Sequence, residues 1–155
     1  MVDSRFLSIL RTISLQLSEN NVQWALVGSL GMAIRGIPIE PNDIDIITDK
    51  AGAYEIERLL SQFVKRRVAL RTSERIQSHF GILEIEGVEV EIMGDFQIKL
   101  ADGSWEDPPD LRQHKQTVQV DEMNVPVLRP EWEYQTSLKL GREEKAEMVK
   151  TYLLR

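Results

Sequence analysis

The fold is most clearly indicated by Val27-Gly28-Ser29-Leu30-Gly31, followed after a short loop by Asp43-Ile44-Asp45-Ile46-Ile47. Residues 22–27 are apolar and rich in β-formers, which predicts a buried strand that ends at Gly28-Ser29. Residues 30–35 then fit a short helix. A second strand is predicted over 43–48, where acidic and aliphatic side chains alternate at the start, so both aspartates share one face of the strand.

Outward from these stretches, the spacing of apolar residues predicts the other elements. Prolines place residues 36–42 and 101–110 in loops. The basic run Lys65-Arg66-Arg67 is interpreted as the end of a helix, where cations complement the helix dipole. The predicted helices cover 4–17, 53–63 and the chain from Pro130 on, with a break at Gly141. The predicted strands cover 68–70, 80–86, 88–93, 116–120 and 125–128. A hairpin turn is predicted at Glu86-Gly87.

This order of elements predicts an α/β (α+β) fold in which helices pack against a mixed β-sheet. With 155 residues, the chain has the size of one ordinary domain. We expect a single domain over 1–155, with its core at about 22–93 and a C-terminal helical segment at about 130–155.

Composition and charge narrow the possible functions. The chain has 19 Lys and Arg against 25 Asp and Glu, a net charge of -6, which disfavours extended binding of nucleic acid. It has no Cys, so a metal site must use carboxylates or His. The sequence shows neither a secretory signal nor an apolar run long enough to span a membrane, and we therefore expect a cytoplasmic protein.

The Gly28-Ser29 turn has the features of a small phosphate site. A glycine between a strand and a helix lets an anion approach the backbone, where helix N–H groups and the Ser29 hydroxyl can donate to phosphate oxygens. Such turns also occur for conformational reasons alone, so this motif does not by itself establish a ligand.

Asp43 and Asp45 are stronger candidates for chemistry. Two carboxylates on one strand face repel each other, and oxygen ligands without Cys or His suit Mg²⁺ or Mn²⁺. A solvated strand face is the alternative. Two-metal transfer of phosphoryl or nucleotidyl groups commonly uses further carboxylates. Glu89 and Glu91 are candidates for a third one, because they share one face of the strand predicted over 88–93.

Taken together, residues 22–93 resemble the DNA polymerase β-like nucleotidyltransferase superfamily: strand, Gly-Ser turn, helix, Asp-x-Asp on the next strand, then a carboxylate on a later strand. The resemblance implies that Gly28 and Ser29 bind the β- and γ-phosphates of an NTP. It also implies that Asp43 and Asp45 hold catalytic metal ions and that Glu91 is the third carboxylate and a candidate general base.

The sequence departs from the family pattern where the family has Asp and this chain has Glu91, whose additional methylene displaces the carboxylate. Glu89 is the reserve candidate for that place. The C-terminal segment resembles that of small bacterial members, which makes Lys139 a candidate for nucleotide binding. Arg142, three residues further on, is expected on the same helix face and is a candidate beside it. A solvated helix face is the alternative for these two cations.

Three functions remain open at this point. The first is metal-dependent transfer of NMP from an NTP to a hydroxyl of a small-molecule or protein acceptor. The second is a catalytically inactive binding module, such as a component of a toxin-antitoxin pair. The third is a glycosyltransferase that binds a sugar nucleotide through Asp-x-Asp. Because few residues remain to bind an acceptor, the site is expected to be open or to be completed by a homodimer or partner protein.

Overall fold

The computed structural model describes residues 2–154, which form a mixed seven-stranded sheet with helices on its faces. The strand order is β3-β4-β5-β2-β1-β7-β6. The strands are β1 (Trp24–Val27), β2 (Ile44–Thr48), β3 (Val64–Thr72), β4 (Ile76–Ile85), β5 (Val88–Ile98), β6 (Lys115–Val120) and β7 (Met123–Leu128). The helices are α1 (Ser4–Glu19), α2 (Gly28–Ile34), α3 (Lys50–Leu59), α4 (Leu111–His114), α5 (Pro130–Lys139) and α6 (Glu143–Leu153).

Both predicted strands around the glycine turn lie at the centre of the sheet. β1 pairs antiparallel with β2, and β2 pairs parallel with β5. The second pairing joins residues 46 positions apart in sequence, and on its other side β5 pairs with β4 in a hairpin. The predicted α/β fold with a mixed sheet is therefore confirmed.

The two faces of the sheet differ. One face packs against the amphipathic helix α1, whose N-cap Asp3 accepts a hydrogen bond from the backbone N–H of Arg5 at 2.8 Å. The core between this face and α1 includes Ile44, Ile46 and Val90, all fully buried. Since side chains alternate along a strand, Asp45 and Glu91 emerge on the opposite face. This second face is covered only in part, mainly by α5 and α6, and it carries the candidate site.

One local prediction was wrong. Lys65-Arg66-Arg67 is not at the end of a helix, since α3 ends at Leu59 and a 3-10 turn, Ser61–Phe63, separates it from β3. The three basic residues lie within β3, an edge strand of the sheet. Their side chains are exposed, so this strand lacks the alternation by which a half-buried strand is recognised.

Other elements agree with the prediction apart from their bounds. Glu86 and Gly87 both have positive φ, 50° and 78°, as a two-residue hairpin turn requires. Gly141 separates α5 from α6 as expected. The short α4 was not predicted. Within residues 2–154, no helix is long and apolar enough to cross a membrane. That the whole chain is one domain stays a prediction.

Candidate active site

The structure brings Asp43, Asp45 and Glu91 together, and we call these three residues the carboxylate cluster. Asp45 in β2 is the direct partner of Glu91 in the neighbouring parallel strand β5, and Asp43 immediately precedes β2. One carboxylate oxygen from each residue lies within 4.8 Å of the other two. The register between β2 and β5 therefore builds the cluster.

Burial and mutual repulsion raise the pKa values of Asp45 and Glu91. The pKa of Asp45 rises from 3.8 to about 8, first because burial penalises the charged form and then through a hydrogen bond with Glu91 and the charges of Asp43 and Glu91. The pKa of Glu91 is also raised, with burial as the main cause. Lys145 opposes the shift at Asp45. Without a cation, Asp45 and Glu91 are therefore expected to share a proton.

Gly28 is required at its position by its contact with this cluster. Its φ is +74°, which side-chain-bearing residues rarely adopt. A Cβ added at Gly28 would overlap Oδ2 of Asp45. In this structure, Gly28 therefore allows the backbone to lie close to a carboxylate of the cluster.

The backbone N–H of Gly28 donates to Oε1 of Glu133 at 2.8 Å. Glu133, in α5, is only 6% exposed, and its Oε2 lies 3.7 Å from Nζ of Lys145 in α6. The N–H predicted to bind phosphate is therefore satisfied by a buried side chain in this structure. Ser29 follows in the first turn of α2 and is partly exposed.

Sequence reasoning missed Glu133 and Lys145. No motif marks either residue, since both lie on C-terminal helices rich in charged side chains. Only the packing of α5 and α6 against the sheet shows that these two charges reach Gly28 and Asp45.

Glu89, the reserve candidate, belongs to a different group of charges. Its Oε2 accepts a hydrogen bond from Nζ of Lys65 at 2.6 Å, and the same Nζ lies 3.4 Å from Oε2 of Glu84. We call Lys65, Glu84 and Glu89 the hairpin cluster. Of the two glutamates proposed from the sequence, Glu91 is the one beside the aspartates.

Lys139 is placed away from the carboxylate cluster. Its Nζ donates to both carboxylate oxygens of Glu106, at 3.0 and 3.1 Å. It is the last residue of α5, whereas Arg142 follows the Gly141 break, so the two cations do not lie on one helix as the sequence indicated. A contact between Lys139 and a nucleotide stays a prediction.

A pocket of about 400 Å³ opens beside Asp45, Glu91 and Gly28. This volume is within the range of small-molecule sites. Apolar side chains and cations both line it. The apolar residues include Ile47, Met93, Phe96 and Trp132, and the cations are Arg66, Arg71, Arg142 and Lys145.

The carboxylate cluster fits a hard divalent cation. Its donors are three carboxylate oxygens close to one another and partly buried, and hard cations such as Mg²⁺ prefer oxygen ligands. A cation would also offset the repulsion among the carboxylates, which adds to the effect of burial on the pKa of Asp45.

Comparisons with known proteins agree with the geometry. The family model of aminoglycoside-2''-adenylyltransferase matches residues 9–150. A crystal structure of TM1012 from Thermotoga maritima, provisionally described as a nucleotidyltransferase, is 50% identical. The match covers 99% of this chain and 95% of that one, with a TM-score of 0.89. No curated protein matches the chain.

Two more distant structures share the fold. One is ANT(2'')-Ia in complex with adenylyl-2''-tobramycin, with 15% identity, coverage of 94% of this chain and 88% of that one, and a TM-score of 0.60. The other is the lincosamide antibiotic adenylyltransferase LnuA with lincomycin bound, with 13% identity, 97% coverage of both chains and a TM-score of 0.57. From the family match over residues 9–150, the chain belongs to the aminoglycoside-2''-adenylyltransferase family of nucleotidyltransferases.

Proposed function

We propose that the protein transfers NMP from an NTP to a hydroxyl group of a small-molecule acceptor, with pyrophosphate as the leaving group. The observation that carries this proposal is the carboxylate cluster beside the glycine turn. The named acceptors of ANT(2'')-Ia and LnuA are small antibiotics, which supports a small molecule rather than a protein.

In this proposal, Asp43, Asp45 and Glu91 hold Mg²⁺ or Mn²⁺. The cation would supply positive charge to the transferred phosphoryl group and to the departing pyrophosphate. Asp45 is partly buried, so its carboxylate is a poor place for an uncompensated charge, which favours retention of a cation there. The additional methylene of Glu91 is accommodated by its direct pairing with Asp45 across the two strands.

The chain's own residues then orient the reacting groups. The acceptor oxygen forms a bond to the α-phosphorus while the bond from that phosphorus to the β-phosphate oxygen breaks. The hydroxyl proton passes to the carboxylate of Glu91, which we assign as general base. Holding both reactants on one rigid sheet face lowers the entropic part of the barrier.

The triphosphate is assigned to the Gly28-Ser29 end of the pocket. Gly28 and the cation Lys145 line the pocket there. The hydroxyl of Ser29, the next residue in the first turn of α2, is assigned as a further donor. Glu133 already accepts from the Gly28 N–H, so we propose that a phosphate either displaces this carboxylate or binds beside it through Ser29 and Lys145.

A second copy of the chain is a separate candidate for completing the site. It is tested by measuring the oligomeric state by sedimentation and comparing it with the activity of the same protein.

The experiment is isothermal titration of ATP, GTP, CTP and UTP into the protein with and without Mg²⁺. It is repeated on the double variant Asp43→Asn/Asp45→Asn, with Glu89→Gln as the matched control that removes a carboxylate on the same face of β5. We expect Mg²⁺-dependent binding of at least one NTP that the double variant loses and the control retains.

Absence of NTP binding under all conditions would contradict the proposal. Binding of an NTP without release of pyrophosphate in the presence of any hydroxyl acceptor would favour the inactive binding module. Binding of UDP-sugars in preference to NTPs would favour the glycosyltransferase alternative.

A further inference from the structure

A single row of paired residues crosses the active-site face of the sheet. Starting beside the Gly28 turn, it passes through the carboxylate cluster and ends at the edge strand β3. Its members, in order, are Val27, Asp45, Glu91, Ile82 and Arg66. With about 4.8 Å between neighbouring strands, the backbone of Arg66 lies about 10 Å beyond that of Glu91.

If the proposed function is correct, this row of residues determines which end of the site holds the pyrophosphate and which end holds the acceptor. In nucleotidyl transfer the attacking and leaving oxygens lie roughly in line on opposite sides of the phosphorus. If pyrophosphate leaves at the Gly28 end, the acceptor hydroxyl must arrive from the side of Glu91, β4 and β3. The acceptor therefore lies against the residues that those two strands present to the pocket.

The acceptor side presents an aromatic ring and two guanidinium groups. Phe80 and Ser78 of β4 line the pocket beside Arg71 and Arg66 of β3. Arg71 is held in place, since its Nε donates to the carbonyl oxygen of Phe80 at 3.4 Å and its Nη2 to that of Arg67 at 3.1 Å.

Neither arginine is neutralised within the protein. Among residues 2–154, the ion pairs join other cations to carboxylates and leave Arg66 and Arg71 without an acidic partner. Guanidinium groups match the geometry of carboxylate and phosphate oxyanions. They repel cationic ligands, and a polycationic amino sugar placed here would lie against two like charges.

We propose that the acceptor is a hydroxyl compound with an apolar or aromatic body and an oxyanion, a carboxylate or a phosphate, that pairs with Arg66 and Arg71. The hydroxyl lies at Glu91, the body against Phe80 and the oxyanion at the edge strand. This acceptor class differs from the polycationic one that the family name suggests.

The test uses ligands that share one body and differ in charge. The probes are p-(hydroxymethyl)benzoate, p-(hydroxymethyl)phenylphosphonate and the cation p-(hydroxymethyl)benzylamine, with tobramycin as a polycation. Binding is measured by ligand-observed NMR and calorimetry, with and without α,β-methylene ATP and Mg²⁺. Because hydrogen bonds to a charged group are stronger than those between neutral groups, we expect an anionic probe to bind at least about tenfold more tightly than the cation. Comparison of the benzoate with the phosphonate distinguishes the two oxyanions.

Variants then test whether Arg66 and Arg71 cause the preference for anionic probes. Arg66→Gln/Arg71→Gln is expected to abolish the preference for the anionic probes and leave binding of the ATP analogue within about twofold, because its phosphates lie at the other end of the row. Arg67→Gln, on the same exposed strand but outside the pocket, is the matched control and should behave like the wild type. Thermal melting establishes that each variant is folded.

The proposal is overturned if the anionic probes do not bind, if the benzylamine or tobramycin binds at least as tightly, or if the double variant weakens the ATP analogue instead of the anionic probes. Failure of the ATP analogue to bind the wild type would instead contradict the proposed function. The arms without nucleotide still report the charge preference in that case.

Discussion

Two groups of acidic side chains lie on the same sheet face, and they are neutralised differently. In the hairpin cluster, Lys65 contacts both Glu84 and Glu89 directly, and all three side chains are about half exposed. In the carboxylate cluster, burial and repulsion raise the pKa values of Asp45 and Glu91. Lys145, the cation that opposes the shift at Asp45, forms its ion pair with Glu133.

The comparison shows what separates a candidate site from a surface ion pair. The hairpin cluster is complete without a ligand, because its cation is part of the chain. The carboxylate cluster has more negative charge than its surroundings compensate, which is costly in a partly buried position. A cation from solution would remove that cost, and the predictions below test this difference between the two clusters.

The largest effect is expected from Asp45→Asn. Loss of a charged ligand of the proposed cation should reduce nucleotidyl transfer by at least about 100-fold, since a bound cation contributes several kcal/mol to the transition state. The same change should raise the melting temperature of the metal-free protein, because an amide at this position needs neither to take up a proton nor to carry a charge on folding. Pyrophosphate release and thermal melting measure the two effects. If the variant retains activity, the carboxylate cluster is not the catalytic centre.

A smaller effect is expected from the two lysines considered for nucleotide binding, Lys145 and Lys139. Lys145→Met should weaken ATP binding about tenfold, the effect of losing one charge-assisted contact, whereas Lys145→Arg should stay within about threefold. Lys139→Met tests the remaining sequence prediction and is expected to have a smaller effect, since Lys139 pairs with Glu106. Calorimetry with Mg²⁺ measures all three variants, and a larger loss in Lys139→Met would reverse the assignment.

The stability of the metal-free protein is expected to depend on pH through Asp45. Folding raises its pKa from 3.8 to about 8, so the folded state binds more protons than the unfolded state between these values. The free energy of unfolding should therefore decrease as the pH rises through this window. Asp45→Asn should reduce the slope, and Mg²⁺ should stabilise the wild type more at the alkaline end. Urea unfolding at several pH values measures the slope, and equal slopes in the two proteins would contradict the assigned cause.

The smallest effect is expected in the hairpin cluster. Lys65→Gln breaks exposed ion pairs, which contribute little to stability because water screens them. Activity should stay within about twofold and the melting temperature within about 2 °C of the wild type. Loss of activity comparable to that of Asp45→Asn would show that the two clusters act together.

Much of the site could be predicted locally. The Gly28-Ser29 turn and the Asp43-x-Asp45 pair lie close in sequence, and alternation along one strand determines that Asp45 faces away from the core. Alternation along the strand could not decide between Glu89 and Glu91, because both share a face of β5, and only the family resemblance favoured Glu91. Only the register with β2, set by distant parts of the chain, places Glu91 beside Asp45.

The errors have physical causes of the same kind. Lys65-Arg66-Arg67 was misinterpreted because consecutive exposed residues on an edge strand show no alternation. Glu133 and Lys145 were missed because their importance arises from the packing of α5 and α6 against the sheet. Patterns along the chain report local structure, whereas charges brought together by tertiary packing leave no pattern.

The most direct test of the central claim is a Mn²⁺ titration followed by electron paramagnetic resonance, in the presence of α,β-methylene ATP. The experiment compares the wild type with Glu91→Gln and Glu89→Gln, which remove carboxylates two residues apart on one strand face. The account predicts that Glu91→Gln weakens Mn²⁺ binding at least about tenfold, while Glu89→Gln binds like the wild type. Equal losses in both variants, or full binding in Glu91→Gln, would contradict it.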